Sequence, residues 1–322
     1  MSGPFGTEQL RRLTTLGAIW LVLLLAPLWM PPLGLYTALG TRVLVLGLAA
    51  MSLNFLLGFT GVLSFGHAAW FGLGAYATGM CLKWFAASTP LGLLAGMLVG
   101  GVAGGLLGAL LVRRRGVYFA MVTIAFGQVF YYIAFQWLSV TGGDDGLRGF
   151  ERQPIHLGVA TIDILNNATA FYYFVLVCFA LTAAVMGFIL RSPFGRTMVA
   201  IRENERRARF LGIPVELHIW IAFTLSCFFT AFAGGLYALV NNFADPRLLH
   251  YSQSGDFVIM AVLGGMRTFW GPLLGAVVFV VLQDYVSSVT VNWQFFIGLL
   301  FVLVVLFFPR GLLGFLQQRR RA

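Results

Sequence analysis

Ser64 and His67 stand three residues apart in an apolar stretch, GFTGVLSFGHAAWFGLGAYATGM, running from Gly58 to Met80. A serine beside a histidine is the start of a nucleophile and its base, but acyl transfer also needs a third group to orient the base. The chain shows no such triad spacing, and no G-x-x-x-x-G-K-[ST] run to cradle a nucleotide's phosphates. Its four histidines are scattered. Cys81, Cys178 and Cys227 each lie in or beside an apolar run without metal-ligand spacing, as small packing residues do. The expectation is a non-enzyme with no catalytic residue, no metal and no cofactor of its own. What is left for Ser64 and His67 is polar work at membrane depth.

Gly58, Gly61, Gly66, Gly72, Gly74 and Gly79 follow no single helical face. Irregular backbone inside a bilayer survives only where protein buries it or where it lines a wet cavity. Broken helices of this kind often point their ends at a transported solute. Ser64, Phe65, Gly66, His67, Gly72 and Gly74 are therefore candidates for a translocation path or gate. A tightly packed kink, in which the Ser and His satisfy freed backbone groups, is the other reading. A second stretch, VLGGMRTFWGPLLGAV (Val262–Val277), echoes the first: paired glycines, a hydroxyl residue before Phe, and a closing Gly-Ala. The pair is a candidate internal repeat.

The elements that must position these residues follow from composition. Hydrophobic residues make up 59% of the 322 and charged residues 10%, against about 25% charged in a soluble domain. Long apolar runs separated by short charged loops predict an all-α, polytopic transmembrane helix bundle of about eight to ten spans, a single membrane-embedded domain over 1–322. Leu13–Trp29 reads as a first anchor and not as a signal peptide, since no small-x-small cleavage site follows. Further spans are expected near 35–57, 63–86, 91–112, 117–138, 168–190, 217–240, 255–266, 270–289 and 293–308, with the pair 255–266 and 270–289 ambiguous. Asn167-Ala-Thr169 matches a glycosylation sequon but abuts a span. Gly92, Gly96, Gly100, Gly104 and Gly108 form a stripe, joined by Gly101 and Gly105, that lets another backbone approach closely; packing is the plain reading, sliding against a neighbour the sharper one. Asp284 is the one acid read inside an apolar span, and intramembrane acids are functional candidates.

With an inside N-terminus, sixteen of the 21 Lys and Arg fall on the cytosolic side, and Arg42, Lys83, Arg148, Arg152 and Arg247 outside. That asymmetry obeys the positive-inside rule. It places both termini in the cytoplasm and makes the net charge of +10 topological, with no nucleic-acid partner implied. The longest inner loop is RSPFGRTMVAIRENERRARFLGIP, Arg191–Pro214. Glu203 precedes Arg207, and Glu205 precedes Arg209, by four residues, an orientation that supports a helix. Gly212 is placed to cap it and Pro214 to stop it. Met198, Ile201, Ala208 and Leu211 fall near one face. The expectation is one amphipathic helix, Thr197–Leu211, on which a partner docks.

Together, GVLSFGHAAWFGLGAY and GRTMVAIRENERRARFLGI resemble the inner-membrane permease of bacterial branched-chain amino acid ABC importers, the LivM type. VLGGMRTFWGPLLGA resembles a third signature of that family, and the likeness runs from about Leu35 to Leu313. In ABC importers a permease loop of the form E-x-x-A-x-x-x-G docks into the ATPase; Glu205, Ala208 and Gly212 match it. The resemblance therefore assigns Arg202, Glu203, Glu205, Ala208 and Gly212 to ATPase coupling. It also implies a second, LivH-type permease, two ATPase subunits that carry the ATP and Mg, and a periplasmic solute-binding protein. Related permeases carry urea, short amides or aromatic acids, so the solute stays open. An ion-coupled secondary transporter or a passive channel are the readings from other classes.

Overall fold

In the computed structural model, the structure describes residues 17–157, 160–162, 165, 167–307 and 311–314. Residues 13–16 of the expected anchor, and Arg11, Arg12, Arg310 and Arg319–Arg321, lie outside the described residues. Residues 17–24 and Ala26–Trp29 are helical. The main elements are α1 (Thr37–Thr60), α2 (His67–Phe85), α3 (Thr89–Leu111), α4 (Val117–Gln136), α5 (Ala168–Arg191), α6 (Pro193–Glu203), α7 (Glu205–Phe210), α8 (Val215–Asn241), α9 (Tyr251–Gly264), α10 (Gly271–Val289) and α11 (Trp293–Phe307).

Six of these, α1, α3, α4, α5, α8 and α10, are long and apolar enough to cross a membrane. Every residue from Val43 to Leu56 in α1 is buried, as expected of a helix that is apolar all round. Around α1 pack α5, α8, α9 and α10, while α8 also packs against α2 and α3. α2 is rich in Gly and Ala and less apolar than the six, because its surroundings are protein: its first six residues, from His67 to Gly72, are all buried. Large apolar side chains on α3, α4, α5 and α11 instead point outward, among them Leu106, Tyr118, Phe188 and Leu306. That is the surface a bilayer covers.

The glycine stripe of α3 is buried and serves packing. A Cβ at Gly96 would strike the Gly74 carbonyl, at Gly100 the Ala231 methyl, and at Gly104 the Cys227 side chain. The stripe thus seats α3 on α2 and α8 at backbone distance. Trp220 of α8 adds an indole N–H bond to the Gly105 carbonyl, 2.7 Å. The sequon asparagine has a structural task, since Asn167 Oδ1 caps α5 by accepting from the Thr169 and Ala170 amides.

The all-α bundle carries one small addition, since residues 155–157 and 160–162 pair as short antiparallel strands, Ile155 opposite Ile162. Two expectations need correction. The span near 63–86 becomes helical only at His67, leaving 61–66 as a turn. The run 255–266 is α9, whose 14 residues reach about 21 Å, short of the ~30 Å hydrocarbon core. After α9 the chain turns back at 265–270 into α10. Asn54 of α1 donates to the Thr268 carbonyl, 3.0 Å, and Gly58 lies against the Met266 carbonyl. Of the α9–α10 pair, α10 alone is long and apolar enough to cross, and α9 is a half-length helix packed beside it.

Candidate functional site

The loop Arg191–Pro214 folds as two helices. Ser192 caps α6, Pro193 stands at its first turn, and Ser192 Oγ accepts from the Gly195 amide. At Asn204 the backbone leaves the helix, and the Asn204 side chain accepts from the Arg207 amide at 2.9 Å, starting α7. The single helix expected over Thr197–Leu211 is thus broken, because an asparagine that caps offers the backbone a better partner than helix continuation. Glu203 and Arg207 fall on different helices and form no ion pair among the described residues. Glu205 and Arg209 do pair, at 2.8 Å.

α7 ends at a Schellman motif. The Ile213 amide donates to the Ala208 carbonyl and the Gly212 amide to the Arg209 carbonyl. Gly212 has φ of +79°, and nothing lies within 4 Å of where a Cβ would stand. Glycine is required there by conformation alone. Ala208 faces inward, into a small core with Val112, Ile201, Val215 and Ile219. Its small size therefore serves this chain's own packing. The outward groups are Phe210, 91% exposed, and Leu211, 74% exposed, beside a surface cleft of about 540 Å³ lined by Asn204, Glu205, Arg206 and Arg209. Nothing in the loop's apolar periodicity marked Phe210; the signal lay in an aromatic residue two positions before a capping glycine.

Glu205 is held in a charge network. Arg115, from the α3–α4 connection, donates Nε to Glu205 at 3.0 Å, and Arg209 bridges Glu205 at 2.8 Å and Glu216 at 2.6 Å. Partial burial pushes the Glu205 carboxyl up, but hydrogen bonds from Arg209 and Arg115 outweigh it and hold the group below its ordinary value. The network clamps α7 to the start of α8 and the end of α3.

Arg202 joins the two sequence motifs. Its guanidinium donates to the Gly58 carbonyl, and its Cγ packs 3.0 Å from the Cβ position of Gly61. The last four carbonyls of a helix lack helical partners. In α1, Leu57 is satisfied by the Gly61 amide, and Gly58 is satisfied by Arg202 of α6. Gly61, with φ of +77°, turns the chain and leaves no side chain in the way. The Arg191–Pro214 loop is thereby latched to the α1–α2 turn.

Within that turn, Ser64, Gly66 and His67 are buried and Phe65 is half-buried. His67 Nδ1 lies 3.1 Å from Ser64 Oγ, and His67 Nε2 lies 2.8 Å from Ser226 Oγ. Ser226 Oγ donates to the Ser52 carbonyl, so its proton is committed. Nε2–H must then donate to Ser226. In a neutral ring Nδ1 then accepts from Ser64 Oγ–H. Ser254 of α9 accepts from the Ala68 amide at 2.7 Å, one of the donors left over at the start of α2. One buried node thus ties α1, α2, α8 and α9. The Phe65 amide donates to Thr123 Oγ1 at 3.3 Å. Gly72 packs on Leu249 and Gly74 on the Ala231 backbone. Ser52, Ser226 and Ser254 were not legible as partners; single hydroxyls in apolar runs gave the one hint.

A family profile described as "Branched-chain amino acid transport system / permease component" matches residues 35–305, a range holding both the latched turn and the docking loop. The chain belongs to that family. Among curated proteins, the permease is 29% identical over 295 residues to the high-affinity branched-chain amino acid transport system permease protein LivM of Salmonella typhimurium, covering 85% of this chain and 69% of the relative. LivM of Escherichia coli is 28% identical at the same coverage. The L-arabinose ABC transporter permease protein AraH of Azospirillum brasilense is 28% identical over 68% of the chain and 64% of the relative. No solved structure gives a significant match.

Proposed function

We propose that this permease carries branched-chain amino acids inward across a bacterial inner membrane, driven by ATP hydrolysis in partner subunits. Two ATPase subunits holding ATP and Mg²⁺, a second LivH-type permease and a periplasmic solute-binding protein complete the importer. Both termini and the arginine-rich end lie in the cytoplasm, on the positive-inside argument. α6 and α7 form the docking element. Phe210 and Leu211 are its apolar knob, and the cleft beside them is the seat for a partner's side chains. The ATPase moves the element, Arg202 carries that motion to the end of α1, and the α1–α2 turn moves with it. The Ser64–His67–Ser226 node keeps the turn internally satisfied, so that it shifts as a unit without exposing unpaired polar groups. Ser64, Phe65, Gly66, His67, Gly72 and Gly74 then act on the path through the packing of the turn and α2.

The observation that carries this reading is the Arg202–Gly58 latch between the docking loop and the turn. Purification of the tagged permease from its native membrane tests it. Two ATPases and a second permease are expected to copurify, and Phe210→Asp is expected to release the ATPases while the two permeases stay together. A permease that emerges alone, or as a homo-oligomer, contradicts the importer reading.

A further inference from the structure

Arg42 of α1, Asp256 of α9 and Gln283 and Asp284 of α10 gather on one side of the bundle. Glycine contacts fix the register of these helices. Gly47 of α1 touches Leu273 and Ala276 of α10, and Gly275 of α10 touches the Met260 carbonyl of α9. Arg42 lies five residues from Gly47, and Asp256 four residues from Met260, both toward the end away from the docking loop. At 1.5 Å per residue the two stand at nearly one level, about 6–8 Å from that contact plane. Arg42 Nη2 reaches Gln283 Oε1 at 3.3 Å, and Asp284 Oδ1 accepts from the Tyr36 hydroxyl at 2.7 Å.

Two of these groups are left incomplete. Among the described residues, Arg42 Nε is buried without a hydrogen-bond partner. Asp256 makes no hydrogen bond or ion pair among the described residues. The helices that carry Arg42 and Asp256, α1 and α9, pack together, yet the two charges stand farther apart than the 4 Å of an ion pair. Arg42, Asp256, Gln283 and Asp284 are only half-buried. Charges at membrane depth face a bundle interior or a water-filled path, because lipid does not tolerate them. A cation and an anion held near one another, but not paired, suit a ligand that carries both charges on one carbon.

We propose that Arg42 and Asp256 form a transient subsite for the head group of a zwitterionic α-amino acid, the carboxylate on Arg42 and the ammonium on Asp256. Gln283 and the Tyr36–Asp284 pair hold the Arg42 guanidinium and the rim in place. This rests on the importer reading above and places a polar subsite on the solute path. Apolar side chains of the solute stay unselected here.

The importer, purified with its ATPases, second permease and binding protein, is reconstituted in liposomes, and uptake of radiolabelled leucine is measured beside ATP hydrolysis. Losing one charge-assisted contact in Arg42→Gln or Asp256→Asn is expected to cut leucine uptake about tenfold or more. The leucine concentration for half-maximal uptake, set by the binding protein, stays unchanged, and stimulation of ATP hydrolysis by loaded binding protein persists. Arg42→Lys and Asp256→Glu keep the charge and recover much of the uptake. Wild-type uptake by both neutral variants overturns the subsite with the importer intact. Equal loss in the charge-keeping variants, or loss of the second permease from the complex, shows a structural seam and also overturns it. A wild-type permease with no ATPase partners refutes the importer reading, and the subsite with it.

Discussion

The two glycine-rich turns, 61–66 and 265–270, are alike in sequence and are held by different physics. In the first, the hydroxyl before Phe, on Ser64, bonds His67, whose other ring nitrogen reaches Ser226 and through it the Ser52 carbonyl. In the second, the matching hydroxyl of Thr268 bonds, among the described residues, only the Gly265 carbonyl of its own turn, 2.8 Å. The second turn closes through backbone contact: Gly264 lies on Gly271, and Gly275 on Met260. The first also receives Arg202 from the docking loop, while the second is braced by Asn54 of α1. A turn joined by side chains to several helices and to the proposed docking element is suited to transmit motion. A turn welded by backbone contact is suited to resist it. The echo between the two stretches therefore does not extend to their contacts.

Substitutions that sharpen this contrast differ in size. Gly264→Leu has the largest effect, because a Cβ there meets the Gly271 carbonyl carbon and oxygen, and backbone cannot yield as a side-chain end can. Overpacking costs typically about 1–3 kcal/mol and more where backbone must move; we expect more than about 3 kcal/mol, read as loss of folded permease in thermal unfolding in detergent. Retention of wild-type stability would break the backbone-weld account. Ser226→Ala comes next. It leaves the His67 Nε2–H buried without an acceptor, at about 1–3 kcal/mol, and thermal unfolding measures it. Thr268→Val should cost less, about 1 kcal/mol, since only one local bond within the turn is lost. Equal losses for Ser226→Ala and Thr268→Val would erase the distinction between the turns.

The smallest effect is pH dependence in the docking loop. Glu205 has its folded-state carboxyl held below the ordinary value by Arg209 and Arg115, against the push of burial. Its stabilisation is fully present above the unfolded carboxylate range, near pH 4–5, and is lost as pH falls through the lowered folded value. Partly exposed pairs contribute about 0.2–1 kcal/mol each. Hydrogen exchange of the 204–212 amides should therefore be flat from neutral pH down to about 5 after correction for intrinsic rates, and protection should fall below that. Glu205→Gln should remove the fall. A protection loss centred near pH 7 would assign the loop's stability to another group.

Much of this was legible in the amino-acid order. The apolar runs gave six of the expected spans, the four-residue glycine period gave α3's packing face, and Gly212 announced the cap of α7. Local signals failed where distant partners decide. The Glu203–Arg207 spacing favoured one helix, but Asn204's side chain caps a new one. Ala208 matched the docking pattern, yet the small core of Val112, Ile201, Val215 and Ile219 turned it inward. No spacing rule could pair His67 with Ser226, 159 residues away, or Arg202 with Gly58.

The latch is the central claim, and Arg202→Met tests it most directly, since Met keeps the apolar stem beside Gly61 and removes only the donor to the Gly58 carbonyl. The measurement is ATP hydrolysis and leucine uptake by the reconstituted importer, with and without loaded binding protein. The account predicts an assembled complex with near-normal basal hydrolysis, and with stimulated hydrolysis and uptake both reduced about tenfold, as befits the loss of one partly buried charge-assisted bond. An Arg202→Met importer that assembles and keeps full stimulation and uptake would contradict it.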